Sequence, residues 1–319
     1  EIPAGGAPKK TVSRGTCSRI MTGAMMPAGA DRVIRVEFTA ETDGRMRIET
    51  PETGDNVIGA GENVAPGEII FEPGIVRPQN IGIFAEQGID TLPVREPPLV
   101  AVIATGSELK DPGDKLAPGQ IYNSNGLQLC AQVSAMGARP KYYGIVEDKP
   151  AAVAAMLEDA VSTCDVVMLS GGVSMGDYDY VPPAVEQIGG EILFHKVAVK
   201  PGKPLLFARR GPRYIVGLPG NPVSTFIIFE VMVKRLLYRL MGIDTPPQEI
   251  CGRLTTDIRR RDTTRFEFRP VVVSGDAVSP VSYHGSSHLR ALGSANALLT
   301  IEPGVNTVTK GTNVYVRPL

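Results

Sequence analysis

The sequence contains no tryptophan, and tyrosine and phenylalanine bring its aromatic share to only 6%. Without flat aromatic side chains there is no stacking platform for single-stranded nucleic acid. An excess of positive charge is missing too: 33 Lys and Arg face 34 Asp and Glu, for a net charge of −1. That balance supplies no electrostatic drive toward a nucleic-acid backbone or an anionic membrane surface. No apolar run approaches the length of a bilayer-spanning helix, and no signal-peptide pattern opens the chain. Cysteine is sparse. Cys17, Cys130, Cys164 and Cys251 are scattered, with no Cys-x-x-Cys pair and no histidine at metal-ligand spacing. This excludes the familiar zinc and iron–sulfur patterns and suits a reducing compartment, so a cytoplasmic protein is expected. Cys130 and Cys164 fall within apolar patterns and are expected to fill core space.

What is present is a soluble composition, 43% hydrophobic and 21% charged, over 319 residues. That length predicts two to three domains. Residues 1–95 are rich in Gly and Pro between short alternating runs, such as Arg32–Phe38 and Glu68–Phe71, and read as a β module. A short helix is predicted over Pro78–Gln87, with Gly88 at its C′ position. Pro97-Pro98 marks a linker.

Residues 96–245 change character. Strands are predicted at Leu99–Ala104, Lys141–Val146, Val166–Leu169, Ile192–Val199, Leu205–Ala208 and Tyr214–Gly217. Helices are predicted at Ser124–Met136, Pro150–Thr163, Pro182–Ile188 and Pro222–Met241, the last with Asn221 as N-cap and Pro222 at N1. The alternation predicts a doubly wound α/β domain with a mostly parallel sheet. Short alternating strands return over residues 246–319 and read as a small β-barrel domain. The chain is thus expected to be a multidomain α/β protein, its central α/β domain flanked by an N-terminal β-barrel module and a small C-terminal β domain.

Open α/β sheets bind ligands beyond the carboxyl ends of their strands, and four strand-end loops carry suitable chemistry. Thr105-Gly106-Ser107-Glu108 offers hydroxyls, a glycine and an oxygen ligand for a hard cation. Ser170–Tyr180 offers Gly171 and Gly172 for close backbone approach, Ser174 as a donor, and the carboxylates of Asp177 and Asp179. Lys200-Pro201-Gly202-Lys203-Pro204 places two ammonium groups beside apolar strands, where an unpaired charge is costly and an oxyanion would be welcome. Leu218–Ser224 opens a helix whose first N–H groups favour an anion, with Ser224 in the first turn. Each loop alone is explained by ordinary turns, capping or solvated lysines. Together they describe a site for a phosphorylated substrate with a divalent cation. The Walker pattern, the dinucleotide fingerprint and the Gly-x-Ser-x-Gly elbow are all absent.

The stretches IMTGAMMPAGADRVI (20–34), TGSEL (105–109), GQIYNSN (119–125), SGGVSMGDYDYV (170–181), VKPGKPL (199–205), GLPGNPVS (217–224) and HGSSHLRALGSANAL (284–298) resemble the MoeA family. These are the molybdopterin molybdenumtransferases, which include the E domain of gephyrin. The resemblance covers essentially the whole chain. It implies insertion of molybdate into adenylylated molybdopterin with release of AMP, a Mg²⁺ cofactor, a homodimer, and an upstream adenylyltransferase as partner. It also implies roles. Glu108 and Asp179 match the family's acidic, metal-holding and catalytic positions. Thr105, Gly106, Ser107, Asn125, Gly171, Gly172 and Ser174 match the pterin-nucleotide loops. Lys200, Lys203 and Ser224 match molybdate donors, Arg265 and Ser286 match further oxyanion contacts, and Thr22 matches the threonine of the MTGA motif, contributed across the dimer. His195 is expected to pack rather than react, and His284 and His288 to support the Gly-Ser-Ser loop.

The sequence departs from the family pattern twice. It opens downstream of the family's N-terminal helical region and DGYA-type motif, as an N-terminally truncated form would. Its AGED-type motif reads Ala60-Gly61-Glu62-Asn63, with an amide in place of a carboxylate. Two other readings therefore stand beside the enzyme: a weakened member acting as a molybdopterin-binding or gephyrin-like scaffold, and the upstream adenylyltransferase, whose chain is normally much shorter.

Overall fold

A computed structural model describes residues 1–173, 179–244, 248–283 and 285–319. Ser174, Asp177 and His284, singled out in the sequence, lie outside the described residues. The chain divides into two compact units, Glu1–Ile89 and Asp90–Leu319.

Within Glu1–Ile89 the regular ladder is one hairpin, Thr39–Thr42 against Arg45–Ile48. Its two turn residues, Asp43 and Gly44, both take positive φ (52° and 70°), as a two-residue turn matched to the twist of its strands requires. The runs at Arg32–Phe38 and Glu68–Phe71 form no ladder. Val36–Phe38 instead closes a 3-10 turn, and Arg35 gives its backbone N–H (2.8 Å) and Nε (2.7 Å) to Glu52. Glu68 turns its carboxylate back onto the Ala65 N–H at 2.9 Å. Local side-chain partners take the groups that a strand partner would have used. The helix Pro78–Glu86 forms as expected, with Gly88 at φ 71° just past its end.

The second unit is built on a six-stranded sheet in the order Arg139–Val146, Leu99–Thr105, Val166–Ser170, Arg213–Leu218, Leu206–Arg210, Glu191–His195. The first four strands run parallel, and the last two continue antiparallel. Alternate residues feed two separate cores. Val100, Val102, Met168 and Val216 meet Leu129 and Val133 of the helix Ser124–Ala135, and Ile227 and Phe229. Ala101, Ile103, Val167 and Leu169 meet Val153, Leu157 and Ala160 of the helix Pro150–Thr163, with Val181 and Ala184. Burial on both faces is why these strands read as unbroken apolar runs.

The final helix of this layer starts as α over Pro222–Ile228, widens into a π turn at Phe229–Val233 and resumes as α over Lys234–Leu240. Asn221 precedes it, but its side chain caps nothing; its main-chain carbonyl accepts the Thr225 N–H (3.0 Å) and hydroxyl (3.1 Å) instead.

One sequence expectation is corrected here. Ile192–Val199 is not a single strand. Glu191–His195 belongs to the α/β sheet, Lys196 turns at φ 84°, and Val199–Lys200 joins a different sheet. That second sheet runs Ala277–Pro280, Ile250–Leu254, Asn313–Pro318, Ala297–Ile301, Phe266–Ser274, Val199–Lys200. Ala277–Pro280 pairs with both Ile250–Leu254 and Phe266–Ser274, which closes five strands into a small barrel around Val271, Val278, Leu299 and Val316.

Asp165 ties the far ends of three central strands together. Its carboxylate accepts the Leu99 N–H (2.8 Å) and the Arg213 guanidinium, and its carbonyl accepts the Tyr214 N–H (3.1 Å). Asp165→Ala is expected to lower the free energy of unfolding by about 1–2 kcal/mol, mostly through the stranded Leu99 N–H. Urea denaturation measures this, and the opposite edge of the sheet should keep its ligand chemistry.

Candidate functional site

Leu99–Thr105 is followed in the chain by the strand on one of its sides, Arg139–Val146, and then by the strand on the other, Val166–Ser170. The connections part there, so the crevice beyond Thr105 and Ser170 is where such a sheet binds ligands. Glycine makes the crevice. Gly171 has φ 103°, and a Cβ there would lie 2.6 Å from both the carbonyl and hydroxyl oxygens of Thr105. Gly172, at φ 64°, sits 3.2 Å from the same hydroxyl by that measure. The Gly171 N–H donates to Leu218 (3.1 Å), and the Gly172 carbonyl accepts the Val181 N–H (3.2 Å). The loop therefore returns to its own start two residues after Asp179, which is half-buried.

Asn125 holds this crevice from the helix Ser124–Ala135. Its amide nitrogen donates to Ser170 Oγ (2.7 Å) and to the Gly220 carbonyl (2.8 Å). Its carbonyl oxygen is buried and has no partner among the described residues. The helix is seated by Asn123, which caps the Gly126 N–H (3.0 Å) and donates to the Tyr142 hydroxyl (2.8 Å). Tyr142 in turn donates to Asp111 (2.7 Å). Burial and the Asp111 carboxylate push the Tyr142 phenol well above its usual range.

The Thr105–Glu108 loop is fixed beside it. The Gly106 N–H donates to Val146 (3.2 Å), the Ser107 N–H donates to Asp148 (3.0 Å), and Ser107 Oγ accepts the Asp148 N–H (3.2 Å). Glu108 is exposed and folds its carboxylate over Gly106, within 2.9 Å of where a Cβ would stand. No group of three or more His, Cys, Asp or Glu among the described residues makes a protein-only metal cage. Glu108, in the loop after Leu99–Thr105, and Asp179, two residues before Val181, supply carboxylates, and the buried Asn125 carbonyl adds a neutral oxygen. Such a set suits a hard cation that takes its remaining oxygens from a phosphate and water.

A second group gathers around the Lys200–Pro204 turn. Lys203 is exposed and lines a cavity of about 470 Å³ with Lys196, Asp262, Thr264 and Arg265. Arg265 gives Nε (3.2 Å) and Nη2 (2.6 Å) to Asp262, whose carboxyl is held well below the usual range by the Thr264 hydroxyl and by that guanidinium. Arg260, nearly buried, braces the same segment by donating to the carbonyls of Arg265 (3.0 Å), Ile301 (3.4 Å), Glu302 and Val305. Gly202 packs its Cα onto the helix that carries Ser224, where any Cβ would overlap Ile228.

Two readings from the sequence change, at Lys200 and at the helix N-terminus, and a third, His195, gains a partner. Lys200 is not an unpaired charge, because it meets the buried Glu267 at 3.2 Å. The helix N-terminus at Pro222 is less open than expected: proline has no N–H, and the Val223 N–H is taken by the Ser286 carbonyl at 3.0 Å. This contact brings the Gly-Ser-Ser loop to Ser224, which is buried. His195 does more than fill space, since its Nε2 meets the Val173 carbonyl at 2.9 Å. Cys164 is buried and Cys130 half-buried, with burial raising the Cys130 thiol's pKa.

The structure thus joins Thr105, Gly106, Asn125, Gly171 and Gly172 at one crevice, and Lys200, Lys203, Ser224, Arg265 and Ser286 around one turn and helix. Thr22 belongs to the other unit. It lies exposed in a turn closed by the Ala24 N–H on the Met21 carbonyl (3.0 Å), beside a cavity of about 370 Å³ lined by Gly5, Gly6, Gly23 and Met25. Sequence reasoning missed Ser170, Asp148, Asp262 and Glu267. For Glu267 a signal existed in Phe266-Glu267-Phe268-Arg269, where two opposite charges two residues apart must share one face of a strand.

Comparison with known proteins agrees along the whole chain. Residues 1–88 match the MoeA N-terminal region (domains I and II), residues 101–239 match the family described as "Probable molybdopterin binding domain", and residues 252–319 match the MoeA C-terminal region (domain IV). A protein of Mycobacterium tuberculosis named molybdopterin molybdenumtransferase 2 is 38% identical over 99% of this chain and 80% of its own length. A molybdopterin molybdenumtransferase of Bacillus subtilis is 34% identical over 99% of this chain and 76% of its own. Among solved structures, a molybdopterin biosynthesis MoeA protein from Pyrococcus horikoshii superposes with a TM-score of 0.85 at 31% identity, covering 99% of this chain and 79% of that one.

Gly171→Ala is expected to force the loop away from Thr105. A methyl group at that φ and against Thr105 should cost roughly 2 kcal/mol of stability, read as a fall in Tm of several degrees by calorimetry.

Proposed function

This chain belongs to the MoeA family of molybdopterin molybdenumtransferases, and we propose that it inserts molybdate into adenylylated molybdopterin, with release of AMP and with Mg²⁺ as cofactor. It is an enzyme of molybdenum cofactor biosynthesis on this reading. The homodimer and the upstream adenylyltransferase partner belong to the same proposal. One observation carries it: a glycine-lined crevice at the sheet's switch point stands in the same compact unit as a cavity lined by Lys203 and Arg265.

The two halves answer the two substrates. Gly171 and Gly172, half-buried at the end of Val166–Ser170 and packed on the buried Thr105, offer main chain where a pyrophosphate needs close approach. The Asn125 carbonyl, buried without a donor among the described residues, offers an acceptor to a pterin or ribose hydrogen-bond donor. Molybdate is a tetrahedral dianion. The cavity offers three cations, Lys196, Lys203 and Arg265, against the single carboxylate of Asp262, an excess that suits a dianion in charge and leaves a monoanion less well neutralised.

Glu108 and Asp179 would hold Mg²⁺, which when bound neutralises charge on the phosphoryl oxygens of the anhydride. The protein's own part is to fix the phosphates against the crevice and the oxyanion against Lys203 and Arg265, so that an encounter of separate reactants becomes a local one. On this reading Ser286, whose carbonyl accepts the Val223 N–H, and Ser224 would supply further hydroxyl donors.

The test incubates purified protein with adenylylated molybdopterin, molybdate and Mg²⁺ and follows AMP by chromatography; absence of AMP would overturn the reading. Asp179→Asn is expected to reduce AMP release by roughly 100-fold or more while circular dichroism stays unchanged. Lys203→Ala should raise the molybdate concentration needed for half-maximal turnover about tenfold, with little effect on the pterin nucleotide's KM.

A further inference from the structure

Glu267 puts a carboxylate where a strand calls for an apolar side chain. Its side chain is 4% exposed, and it stands in register with Lys200 across the parallel pairing of Val199–Lys200 with Phe266–Glu267. One carboxylate oxygen accepts Lys200 Nζ at 3.2 Å, and the other accepts Arg269 Nε at 2.6 Å. Burying a carboxylate incurs a desolvation penalty that only close cations offset, and an apolar residue of similar size would fill the place without it. The charge therefore calls for a use beyond stability.

Its surroundings suggest one. Lys200 is 38% exposed, so the pair is anchored at the carboxylate end and open at the ammonium end. Lys203, three residues on, has no carboxylate partner among the described residues and lines the cavity with Arg265. Tyr283 is pushed up to about 12, first by burial and then by the negative charge of Glu267. The field of this carboxylate thus reaches the segment that leads to Ser286.

We propose that Glu267 is a positioning residue for oxyanion binding: from within the C-terminal barrel it fixes the Lys200 ammonium at the head of the Lys200–Pro204 turn, so that Lys200 and Lys203 meet a tetrahedral dianion already arranged. The proposal rests on the assignment of both lysines to molybdate. A free lysine has four rotatable bonds to immobilise when an anion arrives; a lysine bridged to Glu267 loses that freedom during folding instead. The carboxylate also repels an anion, but Arg269 occupies its second oxygen, and two cations against one carboxylate leave the trio net positive.

Equilibrium dialysis of the full chain with radiolabelled molybdate tests this on Glu267→Gln, Lys200→Met and the double variant. Each single substitution is expected to weaken molybdate binding about tenfold, and the double variant to bind no more weakly than Lys200→Met alone, because Glu267 acts through Lys200. A merely structural role for Glu267 would persist on the Lys200→Met background; that result, or unchanged affinity in Glu267→Gln, overturns the proposal. If Lys200→Met or the unmodified chain shows the molybdate assignment to be wrong, by full affinity in the first or none in the second, that assignment falls and the proposal with it. If Lys200→Met binds weakly while Glu267→Gln binds normally, only the proposal falls. Should Glu267→Gln not fold by circular dichroism, Glu267→Asp replaces it. That variant keeps the charge but withdraws it by one methylene, so about a threefold loss is expected and no loss overturns the proposal.

Discussion

A two-residue strand ties the C-terminal sheet to the α/β layer, beside a core that the two share through Phe268 and Leu298. Val199–Lys200 leaves the α/β layer and hydrogen-bonds in parallel with Phe266–Glu267, so a segment from the middle of the chain edges the C-terminal sheet. The main-chain ladder is short, and the Lys200–Glu267 pair, buried at its carboxylate end, adds to it a contact that tolerates no slippage: shifting the register by one residue would send Glu267 to the other face. The geometry of the cationic turn follows. Lys200 lies within the shared strand and Lys203 just beyond it. Gly202 presses on the helix that carries Ser224, and the Ser286 carbonyl meets the next turn of chain at Val223.

Much of this fold was legible in the sequence because strong periodicity leaves little choice. Pro150–Thr163 forms as expected, and the strands Leu99–Thr105 and Val166–Ser170 extend one residue past the predicted ends. Those runs are buried on both sides, so no alternative pattern competes. Ile192–Val199 failed for the opposite reason. Its residues favour a strand throughout, and nothing local announces that Lys196 adopts a conformation uncommon for a residue with a side chain. The break is imposed by two sheets competing for one segment. In the first unit, Arg35–Glu52 and other side-chain contacts outweighed weak alternation.

The candidate site was legible as residue types and less so as partners. Thr105 closes the strand Leu99–Thr105, Gly171 follows Val166–Ser170, Lys203 follows the short strand Val199–Lys200, and Asn125 stands in the first turn of the helix Ser124–Ala135. What could not be read is which charge meets which. Lys200 looked unpaired because Glu267 lies 67 residues later in the chain, and Asn221 looked like a cap although its side chain makes no such bond. Long-range ion pairs leave a trace only as polar residues at inward strand positions, and the run Phe266-Glu267-Phe268-Arg269 carries that trace.

The π turn at Phe229–Val233 has a consequence for how this helix can vary. An α-helix advances about 100° per residue, so one extra residue would ordinarily turn everything beyond it by that angle; the wider turn takes the extra residue up locally, and Val233 and Leu237 stay buried. Loss of one residue from that stretch would therefore let the chain continue as an unbroken α-helix with Leu237 still facing the core, whereas an added residue would have no further turn to absorb it. Change of length here should be tolerated as shortening by one residue and not as lengthening.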